Sequence, residues 1–431
     1  MSSQSPSSGK PGTNEKADLN EVLALEEDLA GLLLDWSWEG TVGFEERLEK
    51  VAAAYGYEDA TAVVDAQSAF VQIEGRQVIA KCGIPDIPPL AVLPKIKLLF
   101  LNIFGGKLTP TEAQDQIRSI REAPAVYPFL LRLLGTILLA IGFSVDVVGT
   151  WEGMVVAALT AIPAGLCMLT AGRLEGFNRI AGLVGTALSG IIAMLLWKFG
   201  YVTAAPGLLL ISATFIFIPG DSITLQAYEM AVGRWSPAVD RLFYSIMQLV
   251  LQVAGAIFAA IVTVTAFSEL FPETPGSDFA WWAIYPARVI FTLGNMWAFQ
   301  MRVKDYVPAL IIVFICSAAA QLGSAAYGEI IGSFAGMFVA TILAVLYTEA
   351  SAERSPAYVF LLTPVFALSP GSHGLRGFEC WFTDHSVTGI QNLSTLVGVL
   401  LAMAIGLLLA AFCTRGFNLA VSGPGSNSVT S

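Results

Sequence analysis

Residues 393–413 read LSTLVGVLLAMAIGLLLAAFC, twenty-one positions without one charged side chain. As a helix the segment is about 31 Å long, matching a bilayer hydrocarbon core of about 30 Å. It is apolar on every face, so no side of it suits water. Nine more apolar segments precede it, at 127–145, 152–171, 179–197, 202–218, 239–267, 281–300, 306–321, 328–347 and 356–369. The pattern predicts a polytopic α-helical membrane protein with ten transmembrane helices.

Charge is distributed to match. The chain has 431 residues, 55% hydrophobic and only 13% charged, with a mean hydropathy of +0.67; a globular chain carries about a quarter charged residues. Residues 1–125 hold 30 of the 57 charged side chains, 19 acidic and 11 basic, and residues 126–431 hold the other 27. The net charge of −11 disfavours nucleic acid as a partner, because a phosphate backbone demands basic patches. Residues 1–18 contain no apolar run and are expected to be a disordered tail with no secretory signal. The five cysteines form no CxxC pair and the two histidines are His373 and His385, so no metal site and no cofactor is expected.

The acidic segment 19–125 reads as a small α+β domain. Asp18 is placed to cap a helix over 19–35, and FEERLEKVAAAYGY (44–57) carries a second. TAVVDAQSAFVQIEGRQVIAKCG (61–83) is rich in β-branched residues and predicts two or three strands turning at Glu74-Gly75. Helices over 95–104 and 109–122 follow. Basic residues then set the orientation. Arg173, Arg179, Arg234, Arg241, Arg302, Lys304, Arg354 and Arg415 fall on the side of the N-terminal domain, against Lys198 and Arg376 on the other. Both termini are expected in the cytoplasm of a plasma-membrane protein, with a short C-terminal tail at 416–431.

A shift of 151 positions superposes the two halves of the membrane segment. SATFIFIPG (Ser212–Gly220) falls over TPVFALSPG (Thr363–Gly371), matching Phe215 with Phe366, Pro219 with Pro370 and Gly220 with Gly371. Gly185/Gly336, Ile191/Ile342, Ala193/Ala344 and Leu195/Leu346 match in the same register. Five spans per half (126–267 and 281–415) would make the repeats inverted, a transporter architecture in which paired Gly/Pro-interrupted segments mark the substrate site. The segment 356–369 is too short to cross, so its Pro-Gly turn is expected at membrane depth, although a Pro-Gly pair could also simply end a helix.

The chain resembles the threonine/serine exporter family from about residue 25 to 415. The motifs that carry the likeness are WEGTVGFEERLEKVAAAYGY (38–57), KLTPTEAQDQIRSI (107–120) and IPGDSITLQAYEMAVGRWSPAVDRL (218–242). The resemblance implies a cytoplasmic N-terminal domain, ten spans in two five-helix halves, and proton-driven export of small hydroxy amino acids. SVDVVGTWEG (144–153) stands where members often have a glycine-rich stretch, and Gln226, Tyr228 and Glu229 also depart from the pattern. These departures bear on the substrate more than on the fold.

An amino acid needs a cation or helix N-terminus for its carboxylate and an acceptor for its ammonium. Arg288 in IYPARVIF is the candidate cation, with snorkelling to the surface as its alternative; Arg132 is closer to its boundary and reads as snorkelling. Asn295, Gln300, Ser212, Thr214 and Thr363, with Pro219, Gly220, Pro370 and Gly371, complete the substrate candidates. Proton coupling needs a titratable group inside the bundle, and Asp221, Glu229, Glu329, Asp384, His385 and His373 are the candidates. Asp221 and Glu229 could equally be solvated loop residues. His373 and His385 share their loop with Arg376 and Glu379, where a histidine beside carboxylates titrates near neutral pH. Gly328, Gly332 and Gly336 form a small-residue stripe expected to bring Glu329 against a neighbouring helix. Asp146 and Glu152 are expected to be solvated. Partners are therefore threonine or serine, protons and the lipid bilayer, with a homo-oligomer possible; dicarboxylate export, a channel, and a membrane-anchored hydrolase built on the N-terminal domain are the alternatives.

Overall fold

The computed structural model describes residues 16–36, 41–81, 87–174, 176–266, 269–270, 279–351, 353–368 and 386–414. They form two compact units, 1–86 with 95–123, and 87–94 with the chain from 124 onward.

The first unit is α+β. Helix α1 (Leu19–Asp35) opens on Asp18, whose carboxylate accepts from the Asn20 and Glu21 amides, and buries Val22, Leu25, Leu29, Leu32 and Leu33 at helical spacing. Helix α2 (Thr41–Ala54) follows. Strands β1 (Thr61–Val64), β2 (Ser68–Ile73) and β3 (Arg76–Lys81) pair antiparallel in the order β1-β2-β3. Ile73 pairs with Arg76, so Glu74 and Gly75 are the whole turn, both at positive φ (48° and 79°) as a two-residue hairpin loop requires. Glu45 and Glu49 of α2 accept from the Val64 and Ala62 amides of edge strand β1 at 3.0 and 3.1 Å, which occupies donors that could otherwise pair with another chain. Helices α3 (Leu93–Phe104) and α4 (Pro110–Arg121) complete it, α4 starting on a reciprocal Thr109–Glu112 capping box.

Seven helices are long and apolar enough to cross a membrane among the described residues: α5 (Phe129–Val147), α6 (Trp151–Ala171), α7 (Ala181–Lys198), α10 (Trp235–Thr263), α12 (Val303–Tyr327), α13 (Glu329–Glu349) and the Ser394–Cys413 part of α15 (Ser386–Cys413). The other three expected segments hold shorter helices. Segment 202–218 contains only α8 (Pro206–Ala213) and a 3-10 turn at Phe215–Phe217. Segment 281–300 holds a 3-10 turn and α11 (Ile284–Ala298), and 356–369 holds α14 (Ala357–Leu368). The stretch after Pro219, read from sequence as a loop, is instead α9 (Gly220–Ala231).

The membrane unit turns apolar side chains outward. Along α10, Phe243, Met247, Val250, Phe258 and Ile261 are exposed, whereas Arg241, Ser245 and Gln252 are buried. In water this helix would expose its worst face; in lipid it exposes its best. Helix α5 crosses α11 with backbones almost touching. A Cβ built on Gly135 would lie 2.5 Å from the Ala298 amide nitrogen, and one on Gly294 would lie 2.6 Å from that of Leu139. Helix α6 packs on α7 and α8, and α7 on α8 and α10; likewise α12 packs on α13 and α14, and α13 on α14 and α15. Helix α9 touches α10, α14 and α15. Ile87–Pro94 belongs to this unit: the Leu90 and Ala91 amides donate to the Phe299 and Gln300 carbonyls, each at 2.9 Å.

Two outcomes test these readings. Gly294→Leu is expected to abolish the folded membrane unit, visible as loss of the monodisperse detergent-solubilised species, because the added side chain meets backbone that cannot yield. Glu26 of α1 is fully buried with neither carboxylate oxygen hydrogen-bonded, and burial pushes its carboxyl well above the ordinary 4.5. The folded domain keeps a proton that the unfolded chain releases, so the contribution of Glu26 to stability is fully present below pH 4.5 and is lost as the pH rises through the raised folded value. Hydrogen exchange of α1 in the intact protein should therefore quicken with pH beyond the chemical rate, and Glu26→Gln should remove the excess.

Candidate functional site

The two short helices α8 and α14 end near each other, for local reasons. Pro206 starts α8; its end runs through the 3-10 turn into Ile218, held extended (φ −71°, ψ 119°) by the proline that follows. Gly220 then opens α9. In α14, Pro364 has no N–H to give and interrupts the helical ladder beside Thr363.

Aromatic rings from four elements meet there. Phe215 lies 4.3 Å from Phe143 of α5, 5.6 Å from Phe291 of α11 and 5.4 Å from Phe366 of α14, the last two edge to face. Phe366 also stands 5.5 Å from Phe299 at the end of α11. A Cβ on Gly220 would touch the Phe366 ring at 3.9 Å. Beside the cluster, Asn295 donates from Nδ2 to Thr363 Oγ1 at 2.6 Å, both residues fully buried. Asn295 Oδ1 is buried without a hydrogen-bond partner. A buried carbonyl oxygen left open is costly, about 1–3 kcal/mol, and is the acceptor an ammonium or hydroxyl would complete.

Arg288 lies two turns before Asn295 on the same face of α11, with Thr292 between. Its guanidinium does not snorkel: it is buried, donating from Nη1 to Asp146 Oδ2 at 2.7 Å and from Nε to Ser317 Oγ at 3.1 Å. Asp146, expected in water, is instead the counter-ion, with 27% of its side chain exposed.

Glu229 is not a solvated loop residue either. It sits on α9 fully buried, accepting from Arg241 Nε at 3.0 Å. On the same face of α10, Gln252 donates to the Phe217 carbonyl at 3.0 Å, tying that helix to the turn after α8. Ser212 and Thr214 are buried but donate to their own helix, at the Leu208 and Leu210 carbonyls. Pro219 and Gly220 are buried at the turn. Gln300, at φ +58°, accepts from the Val126 amide. Glu329 is exposed at the start of α13, while Gly332 and Gly336 of the same helix press on α12, so the stripe packs its helix without burying the carboxylate. Asp221 is the second residue of α9, and its side chain lies outside the described part. Pro370, Gly371, His373, Arg376, Glu379, Asp384 and His385 lie outside the described residues.

Carboxylates hold the chain entering both short helices. Asp305, in the first turn of α12, accepts from Ser355 Oγ at 2.7 Å, two residues before α14, and from Arg302 Nε at 2.8 Å. Glu152, in the first turn of α6, accepts from Thr203 at 3.4 Å, three residues before α8. The sequence had no signal for Asp305 or Ser355 beyond their place next to a basic loop.

Residues 39–263 match a family model described as "Putative threonine/serine exporter". The chain belongs to the threonine/serine exporter family. The "Threonine/serine exporter" of Corynebacterium glutamicum is 23% identical over 336 residues, covering 75% of this chain and 67% of its own length. The "Probable threonine/serine exporter" of Mycobacterium tuberculosis is 22% identical over 431 residues, covering 91% of this chain and 76% of its own. No solved structure matches this family member.

The Glu229–Arg241 pair makes a measurable claim. Breaking a buried ion pair by removing one partner costs about 3–5 kcal/mol. Glu229→Gln and Arg241→Gln alone should each lower the melting temperature of the detergent-solubilised protein sharply. The double substitution should recover most of the loss, and a double variant no better than the worse single would refute the pairing.

Proposed function

We propose that the chain exports threonine, serine or a closely related small amino acid by alternating access between two five-segment halves, driven by protons. The observation that carries the reading is the place where α8 and α14 end. Phe215 and Phe366, which the 151-residue shift superposes, meet edge to face there beside the half-satisfied Asn295–Thr363 pair. A closed aromatic contact next to an open polar acceptor fits a substrate site with its gate shut. Asn295 Oδ1 would take the ammonium or hydroxyl, and the Phe cluster would part to admit it.

Three features support two halves. The helix pairings of α6, α7, α8 and α10 recur as those of α12, α13, α14 and α15. The Glu152–Thr203 and Asp305–Ser355 contacts stand at corresponding places. The family match ends at Thr263, the last residue of α10, where the first half closes. On this reading α8, α11 and α14 complete ten membrane segments, the repeats are inverted, residues 19–125 form a cytoplasmic domain, and both termini are cytoplasmic in the plasma membrane. Glu229 is the best-placed carboxylate for coupling, being buried in the bundle on α9; Asp221, Glu329, Asp384, His373 and His385 remain in the proposed relay. A dianionic substrate fits less well, because the open group at Asn295 is an acceptor, which a second carboxylate cannot bond.

Cells overexpressing the chain and preloaded with labelled threonine should lose label faster than controls, and an uncoupler should abolish the difference. Asn295→Ala should cut that efflux at least about tenfold if the carbonyl contributes a charge-assisted hydrogen bond. Efflux of succinate in place of threonine would overturn the substrate assignment.

A further inference from the structure

The Asp146–Arg288 pair is built unlike a structural ion pair. Arginine presents five N–H donors in a planar fork that suits two carboxylate oxygens at once. Here Asp146 takes only Nη1, Ser317 takes Nε, and Nη2 has no hydrogen-bond partner among the described residues. The arginine side chain is 5% exposed and the aspartate 27%, so the anion can withdraw toward water while the cation cannot. The pair also sits on the seam of the bundle, Asp146 near the end of α5 and Arg288 near the start of α11. One turn before Asp146, a Cβ on Gly142 would lie 2.7 Å from Phe291 Cβ, which places the ion pair at the mouth of the α5–α11 crossing.

We propose that Arg288 binds two carboxylates in turn, that of Asp146 in the closed state and that of the transported amino acid in the open one. The inference rests on the exporter reading above. Asn295 lies about 10 Å along α11 from Arg288, with Thr292 between them on the same face, so the two mark successive stations on one path. A free carboxylate arriving from Asn295 engages the fork through two N–H groups and displaces a partner held through one. Arg288 stays neutralised throughout, which a buried guanidinium requires. Asp146 is then the latch of α5 on α11, released only when substrate takes its place. The exchange makes and breaks hydrogen bonds only.

The test uses the full-length protein purified in detergent and labelled threonine as the probe. Asp146→Asn removes the competing anion and should lower the half-saturating concentration about tenfold. Arg288→Gln should lose binding. The charge-swapped variant Asp146→Arg with Arg288→Asp separates the alternatives: a merely structural pair regains threonine binding, whereas the exchange requires that it fold and still fail to bind. On the unmodified protein, threonine should speed hydrogen exchange over residues 142–148. Unchanged affinity in Asp146→Asn, binding by the swapped pair, or exchange indifferent to threonine would each overturn the inference and leave the exporter standing. A wild-type protein that neither binds nor exports threonine or serine would sink both.

Discussion

Helices α5 and α11 approach until their backbones are in contact, and the membrane unit is arranged around that approach. Gly135 and Gly294 permit it, since any Cβ there would meet main-chain nitrogen at under 3 Å. Lipid gives helices no hydrophobic reason to associate, so close packing and interhelical polar bonds must supply the attraction. Both are found at this crossing. The glycines bring the helices together, and the seam then carries the Asp146–Arg288 ion pair at one end and the Phe143–Phe215–Phe291 contacts at its centre.

A second constraint follows from the solvent. Backbone groups at membrane depth have no water to bond, so a chain break there must be satisfied by protein. The break after α8 meets that demand with Gln252, which bonds the Phe217 carbonyl from α10. The end of α10 is served by Lys198, whose Nζ bonds the Thr263 and Val264 carbonyls. A cation at a helix C-terminus is well placed against the macrodipole, and this contact accounts for one of the two basic residues on the sparsely charged side.

Period and punctuation made much of the fold legible. The Asp18 cap, the Glu74-Gly75 turn and the Thr109–Glu112 box each act within a few residues, so local sequence carries them in full. The long apolar runs were equally plain. Helices α8, α9 and α14 were less so, because 202–218 and 356–369 are apolar enough to read as spans, while Pro206, Pro219 and Pro364 decide how they break. Glu229 looked like a loop residue for a related reason: GDSITLQAYEMA is too polar for a span and too short to announce burial.

By itself the sequence determined that the chain is a membrane protein with a small α+β N-terminal region, since hydropathy and charge segregation are properties of composition along the chain. It also held the register that matches Phe215 to Phe366. Only the tertiary structure decided which polar groups meet. Asp146 and Arg288 stand 142 positions apart, and Asn295 and Thr363 stand 68 apart; no local pattern encodes either pairing. Each arises because two helices cross where glycine lets them, and a buried charge or amide then bonds whatever that crossing brings within reach.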